Sequence, residues 1–242
     1  MPRTFSRDSK SESQSVVVSR EVWIPPLGLI GILNRPDGAR ALVIFAHGSG
    51  SSRFSSRNIR VAEALNRRGI ATLLFDLLLP REEDDRQNVF DISLLAQRLK
   101  QAVRWVIGEP DINSIPIGLF GASTGAAAAL VAASGLGDRI GAVVSRGGRP
   151  DLAGDMLPLV KVPTLLIVGG ADYGVIELNQ QALERLGGEK SLQIVPGATH
   201  LFEEAGALDA VIELAGGWFE SHLVGGNLRA TKADPRKPDA RE

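Results

Sequence analysis

The chain has 242 residues, of which 44% are hydrophobic and 23% charged, with a formal net charge of −1. This is the composition of a globular domain with one sizeable core, and the balanced charge argues against a nucleic-acid or membrane partner. The absence of cysteine excludes disulfides, thiolate metal sites and a cysteine nucleophile. No secretion signal follows Met1 and no apolar run approaches the ~18–20 residues of a membrane span, so we expect a cytoplasmic protein.

Residues 1–14 are rich in serine and charge, and we expect them and residues 225–242 to be disordered. Between them lies one predicted domain, residues 15–224, in which apolar runs of strand length alternate with segments of helical spacing. The predicted strands are Val16–Ile24, Leu27–Leu33, Ala41–Ala46, Ala71–Asp76, Ile115–Phe120, Gly141–Ser145, Thr164–Val168 and Leu192–Val195. The predicted helices are Asn58–Arg68, Phe90–Ile107, Ala126–Ala133, Ile176–Leu186 and Leu208–Leu223.

This alternation predicts a mainly parallel sheet of eight strands. The strands lack polar alternation and are separated by helices, which is typical of a sheet with helices on both faces. The first two strands, joined by Pro25-Pro26, predict an antiparallel edge. The interval from Arg146 to Pro163 is too short for a large lid domain, so we predict an open, shallow site. The charged run from Arg81 to Arg86 is interpreted as a solvated loop.

The pentapeptide from Gly121 to Gly125, GASTG, fits the G-x-S-x-G pattern that places a serine on a sharp turn between a strand and a helix. A predicted strand precedes it and an alanine-rich predicted helix follows, as the pattern requires. The two glycines leave room where backbone segments approach each other closely. We therefore interpret Ser123 as a nucleophile; the alternative is a capping serine in a buried turn.

Two polar residues follow later strands in the order of a Ser-Asp-His triad. Asp172 comes after the predicted strand that ends at Val168, and His200 after the one that ends at Val195. Functional groups gather at the carboxyl ends of parallel strands, so these two side chains can converge on Ser123. His200 would accept the serine proton and Asp172 would hold the imidazole tautomer. The alternatives are a turn histidine and a helix N-cap aspartate.

Other charged residues leave alternatives open. Asp151 and Glu177 are rival carboxylates, and Asp76, which also ends a predicted strand, is either a supporting group or another candidate for the triad acid. Arg53 and Arg57 either line the site or cap the helix that follows them.

The loop His47-Gly48-Ser49-Gly50 follows an early central strand, where an oxyanion hole is expected. Acyl transfer builds negative charge on the carbonyl oxygen, and two N–H donors stabilise that charge. We predict the backbone N–H groups of Thr124 and Ser49 as donors, with Gly50 as the second choice for the loop. The loop residues are also candidate substrate contacts; the alternative is a flexible Gly/Ser loop.

Arg146 and Arg149 follow the sixth predicted strand, at the rim of the expected site. Two arginines there could hold a carboxylate or phosphate of the substrate. The alternative is a structural ion pair with Asp151 or Asp155.

With these motifs the chain resembles an α/β-hydrolase of the dienelactone-hydrolase-like group, over roughly residues 16–222. The resemblance rests on the motifs around Ser49, Ser123, Asp172 and His200. It implies the α/β-hydrolase fold and hydrolysis through an acyl-enzyme, without metal or organic cofactor. The name-giving dienelactone hydrolases use a cysteine nucleophile and this chain has serine, so the resemblance favours general carboxyl-ester chemistry over dienelactone itself.

These observations lead to the hypothesis of a serine hydrolase that cleaves small carboxylic esters or lactones. An acyltransferase or perhydrolase would use the same triad and is an alternative from the same machinery. A binding protein that kept the fold without catalysis is the alternative from another class. The oligomeric state, monomer or homodimer, stays open.

Overall fold

The computed structural model of the chain describes residues 16–225. The disordered segments predicted at residues 1–14 and 225–242 lie outside these described residues, apart from Gly225.

Eight strands form one sheet in the described part of the chain. Numbered β1 to β8 in chain order, they are Val17–Ile24, Leu29–Pro36, Ala41–Ala46, Ile70–Phe75, Ile117–Ala122, Ala142–Arg146, Thr164–Gly169 and Lys190–Val195. The α-helices, numbered α1 to α7, are Ser56–Arg67, Pro80–Glu83, Arg86–Phe90, Ile92–Gly108, Thr124–Leu136, Tyr173–Arg185 and Ala207–Phe219. Two 3₁₀ segments, Gly137–Arg139 and Pro150–Leu159, and one π-helical turn, Glu220–Val224, complete the secondary structure.

The strand order is β1-β2-β4-β3-β5-β6-β7-β8. Strand β2 pairs antiparallel with both β1 and β4, and the remaining neighbours pair in parallel. This confirms the predicted eight-stranded, mainly parallel sheet with an antiparallel N-terminal edge. The chain order reverses on the two sides of β3, and ligands of such sheets bind at the carboxyl ends of strands near this switch point.

Helices cover both faces of the sheet, as predicted. On one face α4 and α5 bury residues such as Leu99, Val103 and Leu130. On the other face α1 and α7 bury residues such as Leu65 and Phe219. Strands β3 to β7 are buried along their whole length, which explains their continuous apolar sequence. The interior is therefore a rigid platform for the loops at the strand ends.

Most limits of the predicted elements differ from the observed ones by one to four residues; the last predicted helix, for example, ends at Phe219 and not at Leu223. Two of the corrections have a clear local cause. Strand β2 begins at Leu29, not at Leu27, because a tight turn precedes it: Gly28, with φ +72°, donates its N–H to the Ile24 carbonyl at 2.9 Å. The run from Arg81 to Arg86, interpreted as a solvated loop, contributes to α2 and α3. Its Glu82 is anchored there, because the carboxylate accepts the Leu79 N–H and pairs with Arg98 at 2.7 Å.

The interval between β6 and β7 holds only the 3₁₀ segment Pro150–Leu159, so no lid domain is inserted there. Within residues 16–225, none of the helices has the length and apolar content to cross a bilayer.

Candidate active site

Ser123 lies in the turn between β5 and α5, in an unusual backbone conformation. Its φ of 52° and ψ of −122° fall in a region that residues with a side chain rarely adopt. The surrounding structure holds this turn, since the Ser123 carbonyl accepts the N–H groups of Ala126 and Arg149, both at 3.1 Å. The hydroxyl is thereby presented at the carboxyl end of the sheet, beside the first turn of a helix.

Three glycines allow other backbone segments to approach this turn. A Cβ atom at Gly125 would lie 2.2 Å from the Ala46 carbonyl oxygen, and one at Gly121 would lie 2.4 Å from the Ala126 Cα. A Cβ at Gly48 would lie 2.9 Å from the Cβ of Ser123. The two glycines of the GASTG pattern therefore permit the close packing of α5 on β3 and β5, and Gly48 permits the loop after β3 to touch the serine.

Replacing Gly125 with alanine should lower the free energy of unfolding by about 3 kcal/mol or more, because the methyl group collides with fixed backbone rather than with a mobile side chain. Gly217→Ala is the matched control, since its Cβ meets nothing within 4 Å. It lies within α7, where alanine should raise stability by about 0.5–1 kcal/mol. Urea unfolding of both variants measures the effects, and similar small effects would contradict the packing argument.

The strained turn predicts that Ser123→Gly is more stable than Ser123→Ala by about 1 kcal/mol, because glycine adopts positive φ without steric cost. Both variants lack the hydroxyl, so their difference isolates the backbone strain. The same comparison at Ser134, within α5, should have the opposite sign, because glycine disfavours helix. Thermal unfolding of the four variants tests this, and an equal sign at both positions would contradict it.

His200 and Asp172 form a direct pair. The Nδ1 atom of His200 lies 2.7 Å from Oδ2 of Asp172, across loops that leave the paired strands β8 and β7. An ionised carboxylate only accepts hydrogen bonds, so Nδ1 carries the proton and Nε2 is left as the basic nitrogen. Gly147, with φ +50°, allows this arrangement, since its Cβ would lie 3.0 Å from the His200 carbonyl oxygen.

His200 and Ser123 line one cavity of about 270 Å³. The hydrogen bonds of the described residues include none between the Ser123 hydroxyl and the imidazole of His200. Such contacts commonly tighten only when substrate binds. The arrangement can supply a hydroxyl, an adjacent base and an acid that orients that base.

The rival carboxylates have other surroundings. Asp76 accepts the Arg53 backbone N–H at 2.8 Å and pairs with the guanidinium of the same arginine. Asp151 forms a two-pronged ion pair with Arg149, at 2.8 and 2.7 Å. Glu177 is exposed on α6. Of the four candidate acids, Asp172 is therefore the one that contacts His200.

His47 is a buried residue that fixes the loop after β3. Its Nε2 accepts the Leu77 N–H at 3.1 Å, and its Nδ1 lies 3.0 Å from the Gly48 carbonyl oxygen. Both ring nitrogens are occupied in the neutral form, and burial lowers the pKa of His47, which the Gly48 hydrogen bond only partly offsets. His47 therefore connects the loop to the end of β4 as an uncharged group.

The two predicted oxyanion donors lie side by side. The Ser49 N–H donates to the Thr124 hydroxyl at 2.9 Å, so the loop is tied to the first residue of α5. The Thr124 N–H has no intrahelical acceptor, since it opens the helix, and the positive end of the helix dipole lies there. Gly50, the other loop candidate, has φ +68° and nothing within 4 Å of a Cβ position.

A second cavity, of about 370 Å³, adjoins the first at the loop after β3. One wall is formed by Leu77, Leu78, Val89 and Leu95, and Glu83 and Thr124 also line this cavity. The loop after β3 lines both cavities, through Gly48, Ser49 and Ser51. The described site thus has one cavity lined by Ser123 and His200 and one with an apolar wall. Among residues 16–225, the His, Asp and Glu side chains form no group of three that could hold a metal ion.

The structure places the two predicted arginines differently. Arg149 is occupied by Asp151, and this hydrogen bonding raises its pKa. Arg146 is only 5% exposed and lines the cavity of Ser123. Burial first, and the neighbouring charge of Arg57 second, lower the pKa of Arg146 to about 10. Arg146 therefore stays cationic at neutral pH, in a place where charge is costly.

Sequence reasoning missed the two side chains that surround Arg146. Asn58 of α1 accepts a hydrogen bond from its guanidinium at 3.2 Å, and the Phe202 ring lies 5.9 Å from its Cζ. Phe202 is itself unusual, a buried residue with φ 56° directly after the His200 turn. A buried asparagine among the apolar positions of an amphipathic helix was the available signal for Asn58; nothing in the pattern indicated Phe202.

Residues 29–214 match the Dienelactone hydrolase family. Two Mycobacterium tuberculosis proteins from different strains, each named "Putative phosphoribosyl transferase", are 58% identical over 205 residues, which is 85% of this chain and 46% of each relative. The chain thus spans about half the length of the curated relatives it matches.

Solved structures agree with this family match. The crystal structure of a dienelactone hydrolase from Anabaena variabilis is 53% identical, with a TM-score of 0.82, and the match covers 87% of this chain and 99% of that one. Est1E from Butyrivibrio proteoclasticus has a TM-score of 0.71 at 16% identity, over 85% of this chain and 99% of that one. The second likeness concerns the fold alone.

Proposed function

The chain belongs to the dienelactone hydrolase family, and from that premise we propose that it is a serine hydrolase cleaving small carboxylic esters or lactones through an acyl-enzyme. The observation that carries the proposal is that His200, paired with Asp172 at 2.7 Å, lines the same cavity as the strained Ser123. A strained backbone at a serine between a strand and a helix is explained when the turn must expose the hydroxyl to a substrate.

In the proposed reaction the His200 Nε2 takes the proton of the Ser123 hydroxyl as its oxygen attacks the ester carbonyl. Asp172 stabilises the imidazolium that forms and does not itself take the proton. The imidazolium then protonates the leaving alcohol, and a water molecule, activated by the same nitrogen, hydrolyses the acyl-serine. No cofactor is needed for these steps.

The negative charge of the tetrahedral intermediate would lie at the first turn of α5. We propose the Thr124 N–H as one donor, because it lacks an intrahelical partner and lies at the positive helix end. The Ser49 N–H would be the second donor, and it now donates to the Thr124 hydroxyl. Binding of an oxyanion would therefore replace this contact with a charge-assisted hydrogen bond.

Two other functions stay open beside hydrolysis. Acyl transfer to an alcohol or to peroxide would use the same residues, and partition of the acyl group among water, alcohol and peroxide distinguishes these reactions. The M. tuberculosis relatives carry the name of a phosphoribosyl transferase, but this chain spans 46% of their length. In a binding protein without catalysis, the hydrogen bond between His200 and Asp172, which orients the imidazole, would have no role.

The test is covalent labelling followed by an activity panel. A neutral alkyl fluorophosphonate should label the protein on the peptide that contains Ser123, as read by mass spectrometry, and Ser123→Ala should not be labelled. p-Nitrophenyl esters of graded acyl length, together with lactones, then define the substrate. Persistent labelling of the alanine variant would show that another residue is the nucleophile.

A further inference from the structure

Arg146 is a buried cation with no carboxylate partner. The residue is 5% exposed, and none of the ion pairs among the described residues includes it. The one hydrogen bond from its guanidinium goes to the neutral amide of Asn58, and its Nε is buried without an acceptor. Burying a charge without an opposite charge is costly, so an anion that enters the cavity would be a favourable partner for Arg146.

The surroundings of Arg146 make a bound anion more favourable, because a second cation lies nearby. Arg57 lies close enough for its charge to lower the pKa of Arg146, and it lines the same cavity. Arg57 has only a partial counter-charge in Glu203, at 3.1 Å, whose side chain is 65% exposed. The field in this cavity is thus positive beside the predicted nucleophile.

The position of Arg146 tells which part of an ester would carry the anion. His200 must give its proton to the leaving oxygen, so the leaving alcohol lies on the His200 side of the oxyanion donors. His200, Ser123 and Arg146 line one cavity, and Thr124 lines the other, with the apolar wall. Ser49, the second proposed donor, lines both, so the oxyanion would lie where the two cavities meet. The acyl group is therefore expected in the apolar cavity and the alcohol in the charged one.

Resting on the proposed hydrolase function, we propose that the substrate is an ester of an anionic alcohol, whose carboxylate or phosphate binds Arg146, with a small apolar acyl group. In the reaction the bond from Ser123 Oγ to the acyl carbon forms and the ester C–O bond breaks. The serine proton reaches the leaving oxygen through His200. Water then releases the acyl group as a carboxylic acid, so the products are that acid and an anionic alcohol.

Four aryl esters separate the contributions of charge and position. The compound 4-acetoxybenzoate carries a carboxylate on the leaving phenol, and 4-acetoxyphenyl phosphate carries a phosphate there. Methyl 4-acetoxybenzoate is the neutral control, and phenyl hemisuccinate places the anion on the acyl part. The ratio of kcat/KM in a variant to that in the wild type is taken for each ester, because intrinsic leaving-group reactivity then cancels.

Arg146→Gln should lower kcat/KM for the two esters with anionic leaving groups by about 10- to 100-fold, mainly through KM, because a charge-assisted hydrogen bond is lost. The neutral ester and the hemisuccinate should change by less than about 3-fold. Arg146→Lys should recover part of the loss, since it keeps the charge without the planar fork. Arg60→Gln, an exposed arginine of α1 paired with Asp209 at 2.7 Å, is the matched control. Of the two esters with anionic leaving groups, the one whose kcat/KM falls more identifies the preferred anion as carboxylate or phosphate.

Equal losses on all four esters, or a loss confined to the hemisuccinate, would overturn the proposal. If Arg146→Gln does not fold, wild-type protein supplies the second test: 4-hydroxybenzoate and phenyl phosphate should slow fluorophosphonate labelling of Ser123 at lower concentrations than neutral 4-hydroxybenzamide. Equal protection would refute the anion site while leaving the hydrolase proposal intact. A wild-type protein that is not labelled at all would refute the hydrolase proposal itself.

Discussion

Ser123→Ala is expected to reduce kcat for any ester that the protein hydrolyses by about 10⁴- to 10⁶-fold, the scale on which triad nucleophiles contribute. The variant keeps the proposed oxyanion donors and both cavities, so substrate binding should change little. The physical reason is that alanine removes the hydroxyl that attacks the ester in the proposed reaction, in the cavity that Ser123 shares with His200. Steady-state kinetics on the best ester of the panel measures the effect.

A catalytically dead but folded variant is needed for this interpretation. Alanine at position 123 retains the strained φ of 52°, so its thermal unfolding should stay close to that of the wild type. Product affinity, measured by calorimetry with the released alcohol, should be unchanged. Residual activity above about 1% of wild type would mean that another residue forms the acyl-enzyme.

Asp172→Asn should lower kcat by about 10³- to 10⁴-fold, because an amide can present its N–H₂ to Nδ1 of His200 and stabilise the wrong tautomer. The protonated imidazole would also lose its neutralising charge at 2.7 Å. The change conserves the size of the side chain, so any large effect reports hydrogen-bond polarity and charge.

Asp76→Asn is the matched control for the triad acid. Asp76 also follows a strand, but its carboxylate is bound to the backbone and guanidinium of Arg53. Its replacement should lower stability by about 1–3 kcal/mol, because a partly buried ion pair is broken, and change kcat by less than about 10-fold. If the two variants exchanged these effects, Asp76 and not Asp172 would be the catalytic acid.

The sheet could be predicted in detail because its strands are buried on both faces. Ala41–Ala46 reads as one apolar run and occurs as β3 with the same limits. The order in which the strands pair could not be predicted in this way, since it depends on contacts between distant segments. The position of β3 between β4 and β5 follows from no local pattern. The limits of β2 also differed, because the turn at Gly28 is decided by φ and not by hydrophobicity.

The site was predictable as far as it follows chain order. A GxSxG turn, an aspartate after one strand and a histidine after another are readable because parallel strands bring their carboxyl ends to one edge. The structure does bring Asp172 and His200 together, and their catalytic roles stay predictions. The two arginines were indistinguishable in the sequence, since Arg146 ends β6 and Arg149 follows only three positions later.

By itself, then, the sequence determined the architecture and the order of the candidate catalytic groups, because hydrophobic period and turn chemistry are local properties. Only the tertiary structure decided which charges are neutralised. Arg149 meets Asp151 two residues away, whereas Arg146 is enclosed by Asn58 and Phe202, which come from distant segments and carry no charge. Burial and pairing depend on such remote atoms, and they are what leave one cation open to a substrate.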